Sequence, residues 1–94
     1  MFVRLVRFSL EPGHGAVAQA LADDLAPRIG ALSGCSGVHV FGDESDGEYG
    51  LFVLWESQAS ADAAAGVIGP QLTAHLEGHV RAAPDIRLFK LLSS

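Results

Sequence analysis

His75 and His79 stand four residues apart on a stretch where Leu72, Leu76 and Val80 recur at helical spacing, so both imidazoles border the apolar stripe of one helix. An imidazole titrates near neutral pH and can take or release a proton there. Histidines one turn apart also suit a metal, but no third ligand lies near them in the chain, and zinc has little support. His75 reads either as a pocket residue or as a satisfied histidine on the helix surface. His79 reads as exposed or near the helix C-terminus, where an imidazolium suits the dipole. Trp55, the only tryptophan, ends an apolar run, where a large aromatic usually fills core volume. Arg7 has its simplest role in pairing with an acidic residue. Cys35 reads as a small hydrophobe at a strand start. His39 holds an ordinary strand position, and Gly13-His14-Gly15 lacks the known phosphate-loop patterns.

The elements that position these groups follow from periodicity. Phe2 to Leu10 alternates as a strand, with Phe2, Arg4, Val6, Phe8 and Leu10 on one face and Val3, Leu5, Arg7 and Ser9 on the other. Glu11-Pro12-Gly13-His14-Gly15 is a turn. Val17, Leu21, Leu25, Ile29 and Leu32 make an amphipathic helix that Pro27 should kink or restart, and Ser33-Gly34 closes it. Cys35 to Gly42 is a second strand, with Val38 and Val40 opposite His39 and Phe41. The acidic loop Asp43 to Gly47, with its Asp46-Gly47 turn pair, leads into a third. Gly50 to Trp55 is six non-polar residues, too apolar for one wet face. Ser57 or Ser60 can cap the alanine-rich helix that follows. Gly66, Gly69 and Pro70 predict that this helix breaks into two pieces, with Pro70 in the first turn of the second. Ala83-Pro84-Asp85 turns the chain into a last strand, Ile86 to Leu92.

The element order is βαββαβ, which predicts an α+β, ferredoxin-like domain spanning 1–94, with helices on one face of a four-stranded antiparallel sheet. Two helices cover one face only, yet the strands are apolar on both: Tyr49, Leu51, Val53 and Trp55 alternate with Phe52 and Leu54. An uncovered apolar face is rare on soluble monomers, so a homodimer with sheets packed face to face is expected. The totals agree: 49% of residues are hydrophobic and mean hydropathy is +0.30. No run approaches the ~20 apolar residues of a membrane-spanning helix, and arginines interrupt the apolar N-terminus, unlike a signal peptide. A single cysteine fits a reducing, cytoplasmic setting. A net charge of −5 with six scattered basic residues argues against nucleic acid, whose phosphates need a basic face.

With this element order, Trp55-Glu56-Ser57-Gln58-Ala59 resembles the antibiotic biosynthesis monooxygenase (ABM) domain family. The likeness extends through Gly69 to His79 and to the opening strand with Glu11-Pro12-Gly13, and so covers essentially the whole chain. The resemblance implies a dimeric α+β barrel with a pocket between each sheet and its own helices. Members include cofactor-independent oxygenases of aromatic polyketides, haem-degrading monooxygenases and domains of unknown role. His75 is similar in position to the haem-iron ligand of the haem-degrading members, so haem binding through His75 is one implication. Arg7 stands where those members carry an asparagine, and Ala64 to Gly66 where they carry a tryptophan. The polyketide oxygenases resemble this chain at Trp55, with Leu51 and Ala61 in place of their asparagine and tyrosine. A cofactor-free oxygenase must form an electron-rich substrate anion that reduces dioxygen, and must stabilise that anion. His75 stands where those oxygenases carry an arginine; its imidazole, which titrates near neutral pH, is the expected base, with Arg7 and Trp55 orienting oxygens, on a small hydrophobic or aromatic ligand without metal or flavin. A non-catalytic, dimeric ligand-binding domain is the alternative, and the apolar Leu51 and Ala61 favour it.

Overall fold

The computed structural model describes residues 1–93. In chain order it contains β1 (Phe2–Ser9), α1 (Ala16–Ala20), a π-helical turn (Leu21–Leu25), α2 (Ala26–Gly30), β2 (Cys35–Asp43), β3 (Glu48–Trp55), α3 (Gln58–Leu76) and β4 (Asp85–Lys90). The strands form one antiparallel sheet in the order β2-β3-β1-β4. This is the expected ferredoxin-like arrangement.

Register puts the two sets of side chains where alternation predicts. Phe8 lies opposite Tyr49, Val6 opposite Leu51 and Arg4 opposite Val53, and this face meets the helices. Leu21, Leu25 and Ile29 pack onto it with Leu72 and Leu76 of α3, in one buried cluster that includes Trp55. Leu5 opposite Phe52 and Val3 opposite Leu54 belong to the other face, which no element covers. Phe41 and Phe89 stand 44% exposed there. Gly50 is required beneath Phe41: a Cβ at Gly50 would come within 2.2 Å of the ring.

Pro27 has the effect expected of a proline inside a helical pattern. It cannot donate to the carbonyl one turn back, and the chain widens just before it, where the Ala26 amide donates to the Leu21 carbonyl five residues earlier. The apolar stripe runs on through this π-turn without losing register.

The second helical region departs from expectation. It is one continuous helix of 19 residues with Pro70 inside it, not two pieces. Pro70 and Gly66 are exposed, so the Gly66 carbonyl left without its amide partner can be hydrated. Ala61, Ala64, Leu72 and Leu76 hold the other side against the sheet. Ser57 caps this helix by accepting from the Ser60 amide at 3.1 Å. Ser57→Ala should therefore lower the unfolding free energy by about 1 kcal/mol, read from urea denaturation, with Ser60→Ala costing less.

The last strand ends at Lys90 rather than Leu92. Leu91 still donates its amide to the Met1 carbonyl at 2.9 Å, but β1 offers no further partner, and Leu92 is 90% exposed. The turns after β1 and α3 are tied together: Leu10 bridges to Val80, the Glu11 amide donates to the His79 carbonyl at 2.8 Å, and the Nδ1 atoms of His14 and His79 lie 2.9 Å apart. Asp43 accepts from the amide and hydroxyl of Ser45 in the β2–β3 loop; the hydroxyl bond first, then the amide bond, holds its carboxyl below the ordinary range. No helix of the described residues is long and apolar enough to cross a membrane.

Candidate functional site

Between the sheet and α3 lies a cavity of about 100 Å³. Its sheet wall is Val6 of β1 with Leu51, Val53 and Trp55 of β3, the side chains that alternation turns toward the helices. Its helix wall includes Ala61, Ala65 and Gly69, which recur every four residues and so share one face of α3. The space exists because that face carries methyl groups or hydrogen where larger side chains would meet the sheet. Arg4 is the one charged residue on the lining.

Arg4 is the least exposed of the five guanidinium groups, at 21% of its side chain. Its nearest acid, Asp62, lies 3.6 Å away, beyond good hydrogen-bond geometry. The other polar group at the cavity is the indole of Trp55, a residue 1% exposed, whose Nε1 is buried with no hydrogen-bond partner among the described residues. A buried donor without an acceptor costs roughly 1–3 kcal/mol.

The structure does not bring Trp55, His75 and Arg7 together. Trp55 walls the cavity. His75 lies on the outer seam between α3 and the π-turn, with Nε2 3.0 Å from Asp24 Oδ2. That carboxylate also accepts from Arg28 at 3.1 Å. His75 borders a surface depression with Arg28, Gln71 and Ala74, and no histidine lines the cavity. Arg7 is on the opposite face of the sheet, opposite Gly50, with a guanidinium nitrogen 3.6 Å from Glu48. Ser9 donates to the same carboxylate, and Arg81 approaches it at 3.6 Å. The simple reading of Arg7 as the partner of an acidic residue is the one its position matches. Arg4 is the residue the sequence reading passed over. The signal that finds it is parity: Arg4 shares its face of β1 with Val6 and Phe8, whereas Arg7 does not.

A wider hollow of about 480 Å³ sits at the other end of the sheet, between the turns Glu11–Gly15 and Glu44–Gly47. Arg81 on its wall is already bound to the Asp46 carbonyl at 2.7 Å, and the remaining lining is mostly loop. The apolar cavity beside Trp55 is the better small-molecule site, because it combines apolar walls with one placed polar group.

A haem does not fit this arrangement. The cavity is far smaller than a porphyrin, and His75 is outside it, paired with Asp24. No cluster of three or more His, Cys, Asp or Glu among the described residues is placed to hold a metal ion.

No curated protein matches the chain in sequence. Among solved structures, the chain is similar to a protein of unknown function from Nitrosomonas europaea, with 27% identity, a TM-score of 0.81, and 99% of this chain and 90% of that chain covered. It is also similar to a protein from Mycobacterium tuberculosis, with 19% identity, a TM-score of 0.79, and 99% and 96% covered. A structure titled antibiotic biosynthesis monooxygenase aligns at 17% identity with a TM-score of 0.76, covering 99% of this chain and all of that one. The family model described as antibiotic biosynthesis monooxygenase matches residues 1–66, a span that holds β1, the first helical layer, β2, β3 and the first half of α3, and so the β1–β3 wall of the cavity with Ala61 and Ala65 of its helix wall; the chain therefore belongs to that family.

Proposed function

We propose that this domain is a cofactor-independent monooxygenase that acts on a small aromatic or quinol-like molecule in the cavity between β1, β3 and α3. The observation that carries the reading is the cavity itself: apolar walls closed by Trp55, with the Arg4 guanidinium as the one charge on its lining. An electron-rich oxyanion of the substrate is the species that reduces dioxygen in such chemistry; with no base on the lining the substrate enters already ionised, its proton left to solvent, and a guanidinium in a place of low dielectric stabilises that anion. Arg4 is thus the group that would hold the oxygen, and Trp55 the wall against which the ring lies. We further propose that the domain works in the cytoplasm as a homodimer, with the uncovered sheet face of one copy packed on that of its partner.

A second reading has its own support. No side chain on the cavity lining can accept a proton, and Leu51 and Ala61 present only hydrocarbon. A domain that binds such a molecule without converting it accords with that lining. Oxygen uptake decides between the two. With a panel of phenols, hydroquinones and anthrones, an oxygenase shows saturable uptake that falls at least tenfold in Arg4→Gln. Binding with no uptake across the panel would leave only the second reading.

A further inference from the structure

The size and the single charge of the cavity narrow what it takes. We infer that its ligand is a small monoanion: an apolar body no larger than one ring, carrying a phenolate or carboxylate that sits on Arg4. The inference rests on the proposal that this cavity is the ligand site, and not on whether the ligand is oxidised.

Two independent observations lead to it. The first is volume. The cavity measures about 100 Å³, whereas an apolar cavity of roughly 150 Å³ is what holds a benzene ring in a protein core. A single ring therefore already needs the open side of the cavity, where Ala65 and Ile86 are exposed, and a fused tricyclic skeleton exceeds it. The sheet wall cannot simply give way, because Leu51, Val53 and Trp55 belong to a strand paired on both sides, and interiors at native density resist such expansion.

The second is the state of Arg4. Its side chain is mostly covered, yet it donates no hydrogen bond to any described residue, and its only acid, Asp62, is itself 60% exposed at 3.6 Å. Arg28, Arg81 and Arg87 each lie within 3.4 Å of an acceptor and are more exposed. A planar guanidinium with unspent donors beside an apolar wall matches the two oxygens of a carboxylate, or one phenolate oxygen, better than any neutral group. Asp62 can turn to solvent when the anion arrives, since nothing else holds it.

Trp55, as the only tryptophan and part of the cavity wall, reports occupancy directly. The test titrates the full chain with benzoate, with its neutral counterpart benzyl alcohol, and with anthracene-2-carboxylate, followed by calorimetry and, for the first two, by tryptophan emission. Benzoate should bind at least tenfold more tightly than benzyl alcohol and perturb the emission, and the tricyclic acid should bind at least tenfold more weakly than benzoate. Arg4→Gln should erase the preference for the anion, by about tenfold or more, and Arg4→Lys should restore part of it. Ala61→Val, which narrows the helix wall, should weaken both single-ring ligands. Circular dichroism melts confirm that each variant is folded. Equal binding of benzoate and benzyl alcohol, tight binding of the tricyclic acid, or no binding by any probe each overturns the inference. Tight binding without oxygen uptake would leave it standing and remove the monooxygenase reading; uptake on an anthrone alone would do the reverse.

Discussion

Trp55→Ala should lower the unfolding free energy by about 3–5 kcal/mol, the range for emptying a large aromatic site in a core. For a chain of 94 residues the whole stability is only about 5–14 kcal/mol at roughly 0.05–0.15 kcal/mol per residue, so this one change approaches the limit of folding. The size of the effect follows from position. Trp55 ends β3, one of the two central strands with a partner on each side, and packs in the cluster that joins Leu21, Leu25 and Ile29 to Leu72 and Leu76. Neither helical layer can move in to fill the gap without leaving the other. Trp55→Phe should cost distinctly less than the alanine variant, because it keeps a ring in the site and removes the indole N–H that has no acceptor among the described residues, a group whose burial costs roughly 1–3 kcal/mol. Urea denaturation followed by far-ultraviolet circular dichroism, which does not need the tryptophan signal, measures both. A cost under about 1 kcal/mol for Trp55→Ala would show that the residue does not anchor the core.

The fold is largely legible in the sequence because its strands name both of their faces. In β1 and β3 the period of two separates Val6, Phe8, Leu51 and Val53 from Leu5, Phe52 and Leu54, and the register pairs the members of each set. The first helix is equally plain, since a π-turn ahead of Pro27 delays the backbone without displacing the stripe. α3 is not legible in the same way. Gly66, Gly69 and Pro70 are local signals of interruption, and whether they interrupt depends on which side of the helix faces water, a tertiary fact. The site divides similarly. Trp55 is marked by its place at the end of the apolar run. Arg4 was available from parity alone, and Arg7 stood out only because a family position fell on it. The partner of His75 is Asp24, 51 residues earlier in the chain, and no local pattern announces a contact of that range.

Phe52→Asp should convert the domain from a dimer to a monomer at micromolar concentration, with its fold intact. Phe52 lies near the centre of the uncovered face, opposite Leu5 on one side and His39 on the other. Val3, Leu54 and Phe41 lie beside it, Phe89 lies beyond Val3 on β4, and the Phe41 ring fills the dip over Gly50. This is an apolar surface on a chain whose other sheet face is largely covered by helices, apart from Ile86 on β4, and such surfaces on soluble proteins mark contact sites. Arg7 with Glu48 lies toward one end of the same face and Arg87 with Asp85 on the edge strand β4, so these charges flank Leu5, Phe52 and Leu54, the layout of a protein interface. In a twofold dimer each copy brings its own Phe52, so one substitution buries two carboxylates without partners. Even a penalty of about 3 kcal/mol raises the dissociation constant more than 100-fold, and unpaired buried charges cost at least that much. In the separated chain the same aspartate points into water, which is why the monomer should keep its circular dichroism spectrum. Sedimentation velocity of the wild type and the variant over a micromolar range reads the result. A wild type that sediments as a stable monomer, or a variant that still dimerises as tightly, would mean that another surface, or none, joins the copies.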